Sequence, residues 1–344
     1  MAVNITVTAV VEGNPPETII ANTTNVRANG VDDTSLYDNF ASILPTVYIM
    51  ICLIGVVGNG LVILVTLTRA ALKHVLTIYI LNLAIADLLF MLTLPIMARS
   101  VASRTWTYGH MVCKFVRGFD GMNQFTGIFI LTAMSVDRYI AVVHPMAGKR
   151  IRTLKRTKMI NILLWTMSFL TSLPLWIFAT VVDDGNERRS CLVEWPNMII
   201  SRVFVISAFV IGFACPILLI AACYFGLCLH LFRIQKSASR LPVAPYIRKG
   251  SRQLSILVSA IVVLFTMCWL PFYITTFIAL TLPEGRPAFP FLVGYVFALF
   301  LSYVNSCLNP LIYWCLGARF RKSVKGLLVP TRSHRECKIK VSRL

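Results

Sequence analysis

Two opposite charges stand in one apolar stretch, residues 113–145: Asp120 near its start and Arg138 near its end. They are 18 residues apart, which on a helix is about five turns, so both side chains point to the same side, about 27 Å from each other. That distance is close to the roughly 30 Å hydrocarbon core of a bilayer. A carboxylate binds cations and a guanidinium binds acceptors. We interpret the stretch as one membrane helix that connects an outer site to an inner one.

A second group of polar residues lies within other apolar stretches. An ionisable residue at the bilayer centre costs about 2.5–3.5 kcal/mol on insertion scales, so Asp87 indicates a function at that depth. Amide and hydroxyl side chains stand at comparable depth elsewhere in the chain. Together they predict a buried polar cluster that is able to hold a small cation, formed by Asn59, Asp87, Asn123, Asn305, Ser306 and Asn309.

The elements that position these groups follow from the composition. Of 344 residues, 57% are hydrophobic and 14% are charged, and the mean hydropathy is +0.74, whereas a soluble globular chain is nearer a quarter charged. Seven apolar windows are long enough to cross a bilayer, where backbone polar groups are satisfied inside helices. We predict an all-α integral membrane protein, a seven-transmembrane helix bundle. Its spans 1 to 7 lie near residues 43–69, 75–98, 111–143, 159–182, 199–231, 254–282 and 289–315.

The charge distribution predicts the orientation. The net charge is +19, and 24 of the 33 Lys and Arg residues lie at or beyond one set of span ends, with two of the 14 acids. This is the positive-inside pattern, which argues against nucleic acid as the partner. We expect a multi-pass plasma-membrane protein with an extracellular, flexible tail at 1–42, a seven-transmembrane domain at 43–316 and a cytoplasmic segment at 317–344. Its basic inner face suits anionic membrane lipid.

The cysteines divide by position. Ten are present, and most lie within the spans, where a free thiol behaves as a small hydrophobe. Cys113 and Cys191 fall at outer boundaries, in an oxidising compartment, and predict a disulfide that pins the loop 182–196 to the top of span 3. We assign five of the other thiols to packing within the bundle: Cys223, Cys228, Cys268, Cys307 and Cys315.

The terminal segments carry candidate modification and partner sites. Asn4 and Asn22 are N-glycosylation acceptors in the outer tail. Residues 317–328 have an apolar face opposite Arg and Lys, which is typical of an interfacial amphipathic helix. Cys337 is a candidate for palmitoylation. The final Ser342-Arg343-Leu344 is similar to a peroxisomal address and to a ligand of PDZ proteins, and a surface location favours the PDZ reading.

Motifs in every span resemble the rhodopsin-like (class A) G protein-coupled receptors. They occur in the family's order at Asn59, 83–87, Asp137-Arg138-Tyr139, Trp165, Pro216, 268–271 and 309–313. A narrower resemblance is to the somatostatin receptors, to their arthropod counterparts the allatostatin C receptors and, more distantly, to the opioid receptors. It rests on residues 120–126, 135–145, 194–196, 268–274 and 303–307.

The resemblance implies a neuropeptide ligand, coupling to inhibitory Gi/o proteins with a fall in cAMP, and arrestin as a further partner. Asp120 would pair with a cationic group of the ligand, and Gln124 would line the cavity floor one turn below. The candidate walls of this cavity are Phe272, Tyr273, Thr276, Phe297 and Tyr303.

The resemblance also implies a switch and identifies the cation cluster as a sodium pocket. Asp137 would hold Arg138 at rest, and the Pro271 kink would let span 6 swing outward. The other switch residues are Tyr139, Tyr224, Trp269, Asn309, Pro310 and Tyr313. The pocket would use Asp87, Asn123, Asn305, Ser306 and Asn309, while Gly127 stands where relatives have a serine.

Other classes of protein fit the sequence less well. A channel or transporter would have inverted repeats or spans that are interrupted by polar stretches, and the sequence shows neither. A retinal photoreceptor needs a lysine in span 7, and residues 289–315 contain none. An opioid-like or other peptide receptor is the main alternative. An amine receptor would also use Asp120, but Ser201 and Ser207 lie six residues apart instead of as a pair or trio. No nucleophile–base pair suggests an enzyme.

Overall fold

The computed structural model describes residues 33–68, 74–183, 188–237, 245–281 and 289–328. Seven helices in these ranges are long and apolar enough to cross a membrane, which confirms the predicted seven-transmembrane helix bundle. Their bounds are Asp33–Thr68 (span 1), Val75–Met91 with Leu94–Ser103 (span 2), Gly109–Val143 (span 3), Leu154–Phe178 (span 4), Met198–Phe209 with Val210–Ala214 and Cys215–Ser237 (span 5), Pro245–Ala279 (span 6) and Phe289–Leu316 (span 7).

Span 3 lies at the centre of the bundle, where it contacts spans 2, 4, 5 and 6. The face of span 3 that points into the bundle is apolar in the half nearer the inner end, where Ile128, Leu131 and Met134 are fully buried. They pack with Val258 of span 6 and Ile312 of span 7 in the largest buried cluster. Because neighbours surround it on most sides, span 3 can position both an outer and an inner site.

A β-hairpin covers the outer end of the bundle. The all-α prediction did not include this hairpin. Strand β1, Ala179–Asp183, pairs antiparallel with strand β2, Arg189–Val193, and Val181 lies opposite Cys191. Span 4 accordingly ends at Phe178, before its predicted end at residue 182. The apolar residues of β1 leave the helix because pairing with β2 satisfies their backbone groups.

Two spans contain irregular turns. Span 2 is interrupted at Leu92 and Thr93, and its outer part begins with a proline in the first turn, where no backbone N–H is needed. Span 5 contains a π-helical segment, Val210–Ala214, just before Pro216. Both lie in the outer half of the bundle and re-aim the side chains around them.

The ends of the helices differ in part from the predicted boundaries. Span 1 begins at Asp33, inside the segment expected to be a flexible tail. A short helix, Pro145–Ile151, occupies the loop after span 3 and was not predicted. The amphipathic helix is Ala318–Leu328, as expected; its Val324 is buried and its Phe320 ring lies 6.1 Å from the ring of Tyr313.

The cysteine assignments are partly wrong. Cys223, Cys268 and Cys307 are buried as predicted, but Cys228 and Cys315 are exposed on the outside of the bundle. Span 5 has few polar residues to mark its inward face, whereas Cys315 lies off the buried polar face of span 7. Asn4, Asn22, Cys337 and the C-terminal Ser342-Arg343-Leu344 lie outside the described residues.

Candidate ligand-binding, cation and switch sites

Asp120 lies on the outer half of span 3 and is half-buried. The hydroxyl of Thr93, in the break of span 2, is 3.3 Å from its Oδ1 and 2.8 Å from the carbonyl of Phe90. A hydroxyl has one proton to donate, and the shorter distance favours the carbonyl. The carboxylate therefore keeps acceptor capacity for a cation.

One turn further inward, Gln124 and Tyr273 join spans 3, 5 and 6. The Gln124 amide donates to the Tyr273 hydroxyl, which in turn donates to the carbonyl of Ala208 over 3.2 Å. Ala208 lies two residues before the π-helical segment. In that segment a Cβ on Gly212 would come within 2.7 Å of the Phe125 ring and 3.1 Å of the Tyr273 hydroxyl. The glycine allows this close approach of span 5, so the floor of the cavity is a packed polar junction.

The predicted aromatic walls do not all face the cavity. The Phe272 ring lies between Trp269, at 5.7 Å, and Tyr295, at 6.3 Å, and Thr276 is half-buried one turn above it. Tyr303 is buried against Tyr48 and Phe90 of spans 1 and 2, with ring centroids 5.6 and 5.3 Å away.

Phe297 was assigned to the wrong face. Its side chain is 58% exposed, on the side of span 7 that faces away from the bundle, and its ring stacks on the ring of Phe300 at 6.4 Å. Leu311, about four turns along the same face, is 53% exposed. In a seven-span bundle this face meets lipid. The residues on either side, Val296 and Ala298, are buried instead.

The predicted disulfide is confirmed. Cys113 and Cys191 are bonded, with 5.5 Å between their Cα atoms. The hairpin is also held by the backbone N–H of Trp106, which donates to the carbonyl of Arg189 over 2.7 Å. Arg117 of span 3, which sequence reasoning did not single out, donates from Nη2 to the carbonyl of Cys191 over 2.9 Å. The hairpin is thereby fixed above the outer half of span 3.

The predicted cation cluster is assembled at the centre of the bundle. Asp87 is 2% exposed and accepts a hydrogen bond from Nδ2 of Asn309 over 2.9 Å. Asn123 donates to the hydroxyl of Ser306 over 3.2 Å, and Asn59 donates to the backbone carbonyl of Ser306 over 3.0 Å. Asn305 is buried beside them in sequence. Four spans therefore meet around a single carboxylate.

The chemistry of this cluster fits a sodium ion. Oδ1 of Asn123 is buried without a hydrogen-bond partner, and it supplies an amide oxygen in addition to the carboxylate. Hard cations take oxygen ligands of this kind. A Cβ on Gly127 would meet Phe265 at 3.7 Å, an ordinary contact, so this position has room for a Cβ.

At the inner end of span 3, Asp137 binds two arginines. Nη2 of Arg138 lies 2.5 Å from its Oδ2, and Nε of Arg152 lies 2.6 Å from its Oδ1. Asp137 is 6% exposed and Arg138 is buried as well. Arg152 follows the short helix Pro145–Ile151 and was missed because its partner is 15 residues away. This arrangement holds the Arg138 guanidinium against its own helix.

The remaining switch residues lie at several depths of the bundle. The Tyr224 hydroxyl donates to the carbonyl of Ser255 over 3.5 Å, which joins the inner ends of spans 5 and 6. Tyr139 lies against His144 at 5.7 Å, and Tyr313 and Pro310 are buried in span 7. Trp269 is buried two residues before Pro271, and its ring lies 5.9 Å from Phe265. The switch residues thus extend from the middle of span 6 to the inner ends of spans 3, 5 and 7.

One family motif has a structural role in these contacts. Trp165 of span 4 donates from Nε1 to Oδ1 of Asn82 in span 2 over 3.1 Å. The bond fixes spans 2 and 4 relative to each other behind span 3.

Comparison with known proteins identifies the class. Residues 58–313 match the family model described as 7 transmembrane receptor (rhodopsin family). The chain therefore belongs to the rhodopsin family of seven-transmembrane receptors, which are not enzymes.

Within that family the chain is similar to somatostatin receptors. It is 39% identical to somatostatin receptor type 2 of Mus musculus over 320 residues, which cover 92% of this chain and 83% of the relative. It is 41% identical to type 5 of Bos taurus, over 84% of this chain and 76% of the relative. It is 40% identical to type 4 of Rattus norvegicus, over 83% and 72%. The chain is a somatostatin-receptor-like member of the family, as its motifs indicated.

Proposed function

We propose that this protein is a plasma-membrane receptor for a neuropeptide of the somatostatin or allatostatin C type, and that it lowers cAMP through inhibitory Gi/o proteins. The observation that carries the proposal is the position of Asp120. This half-buried carboxylate lies beneath a disulfide-pinned hairpin, and the Thr93 hydroxyl near it also contacts the carbonyl of Phe90. A carboxylate in a partly dry cavity binds a cationic side chain strongly. The similarity to somatostatin receptors supports a peptide as the source of that cation.

Ligand binding reaches the switch through the cavity floor. A side chain that pairs with Asp120 lies one turn above the junction of Gln124 and Tyr273, which joins spans 3, 5 and 6. Phe272 and Trp269 continue from this junction toward the Pro271 kink. Pressure on the floor moves the inner half of span 6 outward, because a mid-span proline removes a backbone hydrogen bond and weakens the helix there.

The inner end then opens for a G protein. In the closed arrangement Arg138 is held by Asp137, and Tyr224 holds span 6 through Ser255. When span 6 moves out, Arg138 leaves Asp137, and the hydroxyls of Tyr224 and Tyr313 stabilise the open state beside it. The cleft takes the C-terminal helix of an inhibitory G protein α subunit, with arrestin as a later competitor. The basic inner ends and the amphipathic helix lie against anionic lipid, with residues 1–42 outside the cell.

The central polar cluster acts as an allosteric cation site. Asp87, Asn123, Asn305, Ser306 and Asn309 would hold sodium, and the bound ion supplies a positive charge that neutralises the buried carboxylate. These side chains come from spans 2, 3 and 7, so any movement of the spans changes how well they bind a cation. A cation that prefers one state shifts the equilibrium by its differential affinity.

A ligand panel tests the proposal. Cells that express the full-length chain are challenged with disulfide-cyclised somatostatin-like and allatostatin C-like peptides, linear opioid peptides and aromatic amines, and cAMP is measured after forskolin. We expect a fall in cAMP with the cyclic peptides alone, and no fall in cells that carry Asp120→Asn at equal surface density. A response to opioid peptides or amines instead would assign the receptor to a different ligand class. A rise in cAMP would contradict coupling to Gi/o.

A further inference from the structure

A second charge stands beside Asp120 at the mouth of the cavity. Arg117 is three residues earlier on span 3, which places the two side chains on one face with Cβ atoms about 5–6 Å apart. Arg117 is half-buried, and its Nη2 donates to the carbonyl of Cys191 over 2.9 Å. Its Nε is buried and has no hydrogen-bond partner. A buried donor without an acceptor costs free energy until an acceptor reaches it.

Lys114, the neighbouring cation one turn further out on span 3, already forms hydrogen bonds within the fold. Lys114 donates to the carbonyl of Ile177 over 2.6 Å and to that of Trp176 over 3.3 Å. These carbonyls belong to the last turn of span 4, where such groups lack partners within the helix. Lys114 therefore caps a helix, whereas the Arg117 guanidinium, with five N–H donors, keeps most of its capacity.

An arginine in this setting selects for a carboxylate. Its planar fork matches the two oxygens of a carboxylate, and the match is strongest where water is excluded. The hairpin that covers Arg117 excludes water from one side. Because Asp120 is adjacent, a ligand group that enters here meets a positive and a negative charge within one helical turn.

We propose that Arg117 is an anion subsite of the ligand cavity, and that it binds a carboxylate of the peptide while Asp120 binds the peptide's cation. The inference rests on the proposed function, since it assumes that the ligand enters this cavity. It defines the ligand more narrowly, as a peptide with opposite charges close enough to span one helical turn. The carboxylate comes either from the free C-terminus or from an acidic side chain.

The test compares ligands that differ only in this charge. A disulfide-cyclised somatostatin-like peptide is made with a free C-terminal carboxylate or an amide, each with Glu or Gln at a position next to its lysine. The affinity of each of the four peptides is measured on membranes with wild type, Arg117→Gln, Arg117→Lys and Lys114→Gln. The last variant removes a cation one turn away and serves as the matched control.

We expect wild type to prefer one carboxylate over its neutral counterpart by about tenfold or more, and Arg117→Gln to reduce that preference to about one. Arg117→Lys should retain part of the preference, and Lys114→Gln should leave the ratio unchanged. The peptide pair that shows the preference identifies the source of the carboxylate.

Equal affinities of all four peptides for wild type would overturn the inference and leave the cation site at Asp120 standing. A uniform loss with Arg117→Gln would mean that Arg117 only fixes the hairpin, and a uniform gain would mean that it competes with the ligand for Asp120. Both results contradict an anion subsite. A wild-type receptor that binds none of the cyclic peptides would overturn the proposed function together with this inference.

Discussion

Arg152 donates hydrogen bonds to both carboxylate oxygens of Asp137, from Nε to Oδ1 over 2.6 Å and from Nη2 to Oδ2 over 3.0 Å. The short helix Pro145–Ile151 ends one residue before Arg152, so this pair ties the loop after span 3 to the inner end of that span. Asp137 is thereby oriented toward Arg138, with which it also forms an ion pair. The resting state of the switch thus depends on three side chains.

The first prediction concerns basal activity. We expect Asp137→Ala to raise basal nucleotide exchange on Gi about tenfold, because it removes the charge-assisted hydrogen bonds that hold Arg138. Arg152→Ala should raise it by a smaller factor, since charge-assisted hydrogen bonds contribute about 1.5–3 kcal/mol and Asp137 keeps Arg138 as a partner. Arg156→Ala removes an exposed cation nearby and is the control, with no expected change. A fall in basal exchange with Arg152→Ala would show that Arg152 competes with Arg138 for Asp137.

The second prediction concerns transmission. Arg138→Ala should leave peptide binding measurable, since its side chain lies about five turns from Asp120, but should eliminate agonist-driven exchange. The assay uses purified receptor in nanodiscs with Gi and peptide titrated to saturation. Full exchange by this variant would mean that the signal leaves span 3 by another route.

The third prediction concerns the covalent link over the cavity. Cys113→Ala and Cys191→Ala should each weaken peptide binding, and the double variant should be no weaker than either single one, because all three lose the same bond. Cys315→Ala removes an exposed thiol and should have no effect. Additive losses from the two single changes would show that the thiols act separately.

The fourth prediction concerns the cation cluster. We expect sodium to favour the inactive state, so sodium at fixed ionic strength should weaken agonist binding, and Asp87→Asn should remove the effect. Gly127→Ser should strengthen the sodium effect, because a Cβ at this position meets Phe265 at an ordinary contact distance and residue 127 lies one turn from Asn123 on the same helix face, where a hydroxyl adds an oxygen. If lithium, sodium and potassium have the same effect on wild type, the cluster is not a sodium site.

The membrane helices could be predicted because bilayer thickness sets their length and lipid excludes an unpaired backbone. Within them, the polar residues were found because each is costly there: Asp87, Asn123 and Asn309 have little reason to lie at that depth unless they meet. The disulfide followed in the same way from the position of two thiols outside the hydrocarbon core. Each of these signals is contained in one segment of the sequence, so it can be recognised without knowing which other segments pack against it.

The parts that the sequence did not predict depend on tertiary contacts. Residues 179–183 read as a continuation of span 4 and become a strand because β2 pairs with them. Arg117 and Arg152 are two cations among many, and only the fold brings them to Cys191 and Asp137. Phe297 is an exception: the polar residues Ser302, Asn305, Ser306 and Asn309 recur at helical spacing and mark the buried face of span 7, and Phe297 lies off that face.

The carboxylate of Asp120 is the group on which the proposed ligand recognition depends. A matched variant is available: Thr93→Val removes a hydroxyl that lies 3.3 Å from Oδ1 of Asp120 but keeps the charge. It should change peptide affinity by less than about tenfold, since the shorter hydrogen bond of this hydroxyl goes to the carbonyl of Phe90 and a neutral bond of that kind contributes about 1 kcal/mol.

The most direct test is the affinity of a cyclic, lysine-containing peptide agonist for Asp120→Asn, measured by saturation binding on receptors counted at the cell surface. Asparagine keeps the size of the side chain and removes its charge, so the fold should persist. We predict a loss of about 2–5 kcal/mol, or roughly 30-fold to several thousand-fold in affinity. Unchanged affinity on a normally expressed Asp120→Asn receptor would contradict the assignment of this carboxylate as the ligand's anchor.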